Sequence, residues 1–102
     1  MLDLDHLSRQ TLGDRALERE ILGLFVRMAG EQVSRLKSSA TPGERREAAH
    51  AIVGSARAIG AFTAARLAAE VERGEEPVEA RIAALAAEID DIRKFIAARL
   101  EK

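Results

Sequence analysis

Cysteine is absent from this 102-residue sequence, which removes disulfides, thiolate metal sites and a cysteine nucleophile together and fits a reducing compartment. Tryptophan and tyrosine are absent too, and phenylalanine occurs only three times, so the 47% apolar content rests mainly on Ala, Leu, Ile and Val. An excess of either charge is also missing. The 16 basic and 17 acidic residues leave a formal net charge of −1, which gives no overall field for holding nucleic acid, so any attraction to a partner must be local. The two histidines, His6 and His50, stand too far apart in the chain to make a zinc site. No uninterrupted apolar run approaches the ~18 residues of a membrane helix. The opening Met1-Leu2-Asp3-Leu4-Asp5 is acidic where a signal peptide is basic. The expectation is a soluble, cytoplasmic protein that engages neither membrane nor nucleic acid. The glycines are scattered, without a Gly-x-x-x-x-Gly-Lys run or a kinase-like segment, so no ATP site of its own is expected.

What is present is helical periodicity. Only Pro42 and Pro77 interrupt the chain, each where a helix would begin. After Asp14, a suitable N-cap, Leu17, Ile21, Leu24, Phe25, Met28 and Leu36 recur at the spacing of one buried stripe. Thr41-Pro42-Gly43-Glu44 fits a capping box that starts the next helix, and Gly60 fits its left-handed stop. An Ala-rich helix then runs to Gly74. Val78, Ile82, Leu85, Ile89, Ile92 and Ile96 alternate four and three apart, an apolar seam of about five turns. Leu4, Leu7 and Leu12 suggest a short leading helix, with His6 on its surface. The spacing predicts helices over approximately 3–11, 14–37, 42–59, 62–73 and 77–100, within one domain spanning 1–102. The fold class is all-α, an antiparallel four-helix bundle preceded by a short N-terminal helix. Phe25, Met28, Phe62 and Phe95 are expected in its core, and the seam is expected to be covered within a monomer rather than by a second copy.

The chemistry concentrates around His50. At about 100° per residue, Ala48, Ile52, Ala56 and Ile59 share one side of the helix expected over 42–59, whereas His50 lies roughly 160° from Ile52 and should face water. Gly54, one turn later, costs about 1 kcal/mol relative to alanine in an exposed helix interior, so something other than packing should justify it. Without a side chain there, another protein can bring its reacting group close to the ring. Arg46 and Arg57 flank His50 and would make its neighbourhood locally positive, suited to an acidic pocket or a phosphate. Glu47 is a candidate for orienting the ring. Helix charges are commonly solvated or paired, so Arg45, Arg46 and Arg57 have Glu44, Glu47 and Glu72 as alternative partners.

The run Ala49-His50-Ala51-Ile52-Val53-Gly54-Ser55-Ala56-Arg57-Ala58-Ile59-Gly60-Ala61 resembles the signature of histidine-containing phosphotransfer (HPt) domains. His50, Gly54, Ser55 and Gly60 fall on the His-x-x-Lys-Gly-Ser pattern and its second glycine, while Val53 stands where the family usually has lysine. The resemblance implies that His50 takes a phosphoryl group from the aspartate of a response-regulator receiver domain and passes it to another, as a phosphocarrier in a two-component phosphorelay. It implies receiver domains as partners, with a hybrid histidine kinase as a further candidate, no cofactor of its own, and Mg²⁺ on the receiver. Arg57 or Arg46 could supply the charge missing at Val53, which on the flank of the core is expected to be partly buried or part of an apolar patch for partner docking. Two other readings follow from the same residues: a helical adaptor that docks on a receiver or kinase with His50 unmodified, and a dimeric phosphotransferase like the dimerisation domain of histidine kinases.

Overall fold

A computed structural model describes residues 2–39 and 41–101, and among these the chain forms five α-helices, α1 (Leu4–Thr11), α2 (Arg15–Ser38), α3 (Pro42–Ile59), α4 (Phe62–Glu72) and α5 (Val78–Leu100). There is no strand among the described residues. A helix of 24 residues such as α2 is about 36 Å long, close to the 40 Å principal extent, so the long helices set the long axis of the molecule.

Side chains and glycines punctuate these helices. The Asp3 carboxylate accepts from the His6 N–H at 3.0 Å, Asp14 from Leu17 N–H at 3.0 Å, and Thr41 Oγ1 from Glu44 N–H at 3.1 Å, each relieving an orphan donor of a first turn. Pro42 sits in the first turn of α3, while Pro77 stands just ahead of α5 as its N-cap. Gly60 ends α3 at φ 82°, and a Cβ there would lie 2.9 Å from the Asp3 carbonyl oxygen. The Asp3 N–H in turn donates to the Gly60 carbonyl at 2.9 Å. Glycine is thus demanded twice at position 60, by the left-handed turn and by the N-terminal segment seated against it.

The core is aliphatic. Val78, Ile82, Leu85, Ile89, Ile92 and Ile96 of α5 are all buried, with Leu85 and Ile92 at 0% exposure. The tightest pair is α3 on α4, where Ala48, Ala49, Ala56, Ala61, Ala64, Ala65 and Ala68 are buried and let the two backbones approach closely. In addition α2 packs on α3, α4 on α5, and α2 on α5, while α1 touches α2 and α3. Thr11, the buried polar residue among those described, satisfies its hydroxyl by donating to Leu7 O at 3.0 Å.

Several expected burial positions differ. The buried residues of α2 are Leu22, Phe25, Ala29 and Leu36, so Leu17 and Leu24 are exposed, and Ile21 and Met28 are half-buried. Helix α2 carries more apolar residues than one stripe holds, and the stripe inferred from spacing was rotated from the one the core takes. Leu12 lies outside α1, 93% exposed, at its left-handed C-cap. Phe62 opens α4 and remains 48% exposed, because its ring edge meets His6 at a 5.2 Å centroid distance instead of entering the core. Phe95 is half-buried. His6 is not a surface residue: on α1 it is half-buried against Phe62, with its Nε2 inaccessible and without a hydrogen-bond partner.

Candidate functional site

Helix α3 sorts its residues by face. Ala48, Ala49, Ile52, Val53, Ala56 and Ile59 are buried, and His50 points the other way with 74% of its side chain exposed. Its Nδ1 lies 2.6 Å from Oε2 of Glu72, the last residue of α4. A carboxylate only accepts, so the proton between them is the ring's, and Nε2 is left carrying the free lone pair of the neutral imidazole. The Glu72 side chain is 28% exposed, far less than the ring it holds. The alanine-lined contact of α3 with α4 brings this carboxylate within reach.

Glu72 is the site residue that reading the sequence assigned to the arginines. The signal was available: His50 and Glu72 stand eleven residues either side of Ala61, so a helical hairpin folded at Gly60-Ala61 brings them level. Glu47, considered for the orienting role, is exposed on α3, and the ring's partner is Glu72 instead.

The other candidates lie on the same helix. Arg46 and Arg57 are exposed, and neither guanidinium has an ion pair or hydrogen bond among the described residues. Gly54 is exposed as well, and a Cβ placed there would meet nothing within 4 Å, so the space beside His50 is open to solvent. Val53 is buried at 5% exposure, which makes it part of the core and not of a docking patch. Ser55, half-buried, lines an apolar groove between α3 and α2 with Ala58, Ile21, Leu24 and Met28. This groove begins at Ser55, five residues on from His50 and about 140° round the helix from it, and exposes the leucine and methionine that the core of α2 leaves out.

Elsewhere, Asp90 on α5 is held below the usual carboxylate range by a hydrogen bond from Arg93 first and from Lys94 second. Its helix makes no contact with α3, so this ion pair is separate from the His50 site. Among the described residues no group of three or more His, Asp or Glu is placed to hold a metal ion, and no helix is long and apolar enough to cross a membrane.

No curated protein sequence and no solved structure gives a significant match to the chain. A family profile described as the Hpt domain does match, over residues 20–95, which takes in most of α2, all of α3 and α4, and α5 through Phe95. That span is about three quarters of the sequence and contains both His50 and Glu72. The chain therefore belongs to the Hpt domain family, the helical phosphotransfer modules of two-component signalling.

Proposed function

We propose that this protein is the phosphocarrier of a phosphorelay, taking a phosphoryl group onto His50 from the aspartate of one receiver domain and returning it to the aspartate of another. The observation that carries the reading is the His50–Glu72 pair: a solvent-facing imidazole whose Nδ1 is held at 2.6 Å by a carboxylate, so that Nε2 is the nucleophile. In the forward step the Nε2 lone pair forms the N–P bond while the P–O bond to the aspartate breaks, and the electron pair leaves on the aspartate's carboxylate. Nδ1 keeps its proton, so the phosphorylated ring carries a positive charge, and Glu72 lies against it. Reversal by the same path delivers the group to a second receiver.

Such transfer asks mainly for in-line positioning and charge neutralisation. The receiver brings the acidic pocket and its Mg²⁺, and this chain brings the histidine, an open approach at Gly54 and an apolar rim on α2. The exposed Leu24 and half-buried Met28 and Ile21 beside Ser55 and Ala58 support docking of a receiver helix there. Helices α2 to α5, joined by short connections and packed with α2 closing onto α5, support the arrangement of an antiparallel four-helix bundle with α1 over one end. A monomer suffices for this scheme.

The buried Val53 favours a second reading, an adaptor that binds receivers without being phosphorylated, because it leaves no cation in the turn after His50. Incubating the pure protein and a His50→Gln variant with phosphorylated receivers separates the two. Acid-labile phosphate on the wild type alone is the expected result. Binding without transfer across a panel of receivers would overturn the carrier reading in favour of the adaptor.

A further inference from the structure

A phosphoryl group on Nε2 of His50 would project from the ring away from Glu72, which holds Nδ1, on the exposed side of α3 that also carries Glu47. Its oxygens are negative, so while it resides there the site needs a cation to balance them. The turn immediately after His50 provides none, since position 53 holds a buried valine and position 54 a glycine.

We infer that Arg57 is the residue of this chain that binds the phosphoryl oxygens at His50, reaching them across the gap left by Gly54. The inference rests on the reading of His50 as the acceptor. Seven residues along a helix amount to about 20° of angular offset and about 10.5 Å of rise, so Arg57 lies on the His50 face two turns on. Helical side chains tilt toward the N-terminus, which sends the long Arg57 side chain back over Gly54 toward the ring. Arg46, one turn before His50, is an i,i+4 neighbour on the other side of the ring, whereas only His50 and Arg57 are separated by an open turn. Between the two sits the one position on this face with no side chain, and nothing lies within 4 Å of where its Cβ would be.

Arg57 is also available. Arg66, Arg73, Arg81, Arg93 and Arg99 are each engaged with a carboxylate, whereas the Arg57 guanidinium has no partner among the described residues and breaks no ion pair when it turns to a phosphate. Its planar fork suits two phosphoryl oxygens at once, and gathers them as the group passes through its loose, charge-spread transition state.

The test is rapid-quench transfer from a phosphorylated receiver to wild type, Arg57→Ala, Arg57→Lys and Arg46→Ala, with receiver affinity measured separately on the unphosphorylated domain. Arg57→Ala is expected to slow transfer at saturating receiver by about ten- to a hundredfold, with Lys recovering part of the loss. Arg46→Ala should stay within about threefold of wild type. A saturated rate unchanged in Arg57→Ala would overturn the inference, whether affinity falls or not, because a docking cation alters binding only. Failure of the wild type itself to take up phosphate would instead overturn the acceptor reading on which the inference rests. Unchanged thermal unfolding of the exposed variants confirms that the rates report on the site.

Discussion

Removing the Glu72 carboxylate is the most direct perturbation of the site. Phosphorylation at Nε2 turns a neutral ring into a cation, so a carboxylate 2.6 Å from Nδ1 is worth more after transfer than before it, which is the condition for accelerating a step. Two unit charges about 4 Å apart interact by roughly 1 kcal/mol in water and roughly 4 kcal/mol at an effective dielectric of 20. With the ring 74% and the Glu72 side chain 28% exposed, the value belongs near the watery end, about 1–2 kcal/mol. That corresponds to a rate loss of about five- to thirtyfold in Glu72→Ala. Glu72→Gln separates the two parts of the role. Its amide oxygen still accepts from Nδ1–H, so the tautomer persists while the charge is gone. Rapid-quench transfer from a phosphorylated receiver gives the rates, and nitrogen NMR of the imidazole reports which nitrogen holds the proton. The expected pattern is a slow Gln variant with the proton still on Nδ1, and an Ala variant that is slow and has lost that preference. An Ala variant with wild-type rate would refute the argument that Glu72 balances the ring's charge. Stability should change by less than about 1 kcal/mol, as for other exposed pairs.

Gly54 should show opposite effects on stability and transfer. Because a Cβ there meets nothing within 4 Å, Gly54→Ala should stabilise the fold by about 0.5–1 kcal/mol, seen as a rise of several degrees in thermal unfolding. Gly54→Leu should fold equally well yet slow transfer at least about tenfold by filling the approach to the ring, and undiminished transfer would count against the clearance role. Gly60→Ala should be costly, since it combines a φ of 82° with a Cβ 2.9 Å from the Asp3 carbonyl; a loss of roughly 2–4 kcal/mol in urea unfolding is expected, and an unaltered midpoint would contradict the seating of the N-terminal segment.

The parts of the fold written in local patterns were the parts legible beforehand. The α5 seam from Val78 to Ile96 is buried because four-and-three spacing leaves one way to turn a helix on a single core. Asp14, Thr41 and Gly60 act at helix ends through chemistry reaching only three or four residues. The water-facing placement of His50 follows from its angle to Ile52 alone. Helix α2 was less legible, because Leu17, Ile21, Leu22, Leu24, Phe25, Val26 and Met28 supply apolar surface on several sides and spacing does not say which side the other helices occupy. Phe62 misled for a related reason: an aromatic at the first position of a helix can cover a corner, and here it meets His6. Glu72 required knowing which turn of α4 lies beside which turn of α3, and that register is set by alanine packing between helices, which a single-helix wheel does not contain.

The burial of Val53 has a consequence for how such a chain can change. Its side chain is 5% exposed, so lysine at that position would give up a close-packed valine, at about 1.5–3 kcal/mol, and would have to draw its ammonium out along the helix to water. Positive charge beside His50 and density in the core therefore compete for one position. Arg46 and Arg57, both exposed, face no such competition, and substitution there leaves folding almost untouched. Adjusting the speed of this carrier by mutation is cheap at 57 and expensive at 53, so variation in rate would be expected to accumulate along the solvent face of α3 while its inner face stays apolar.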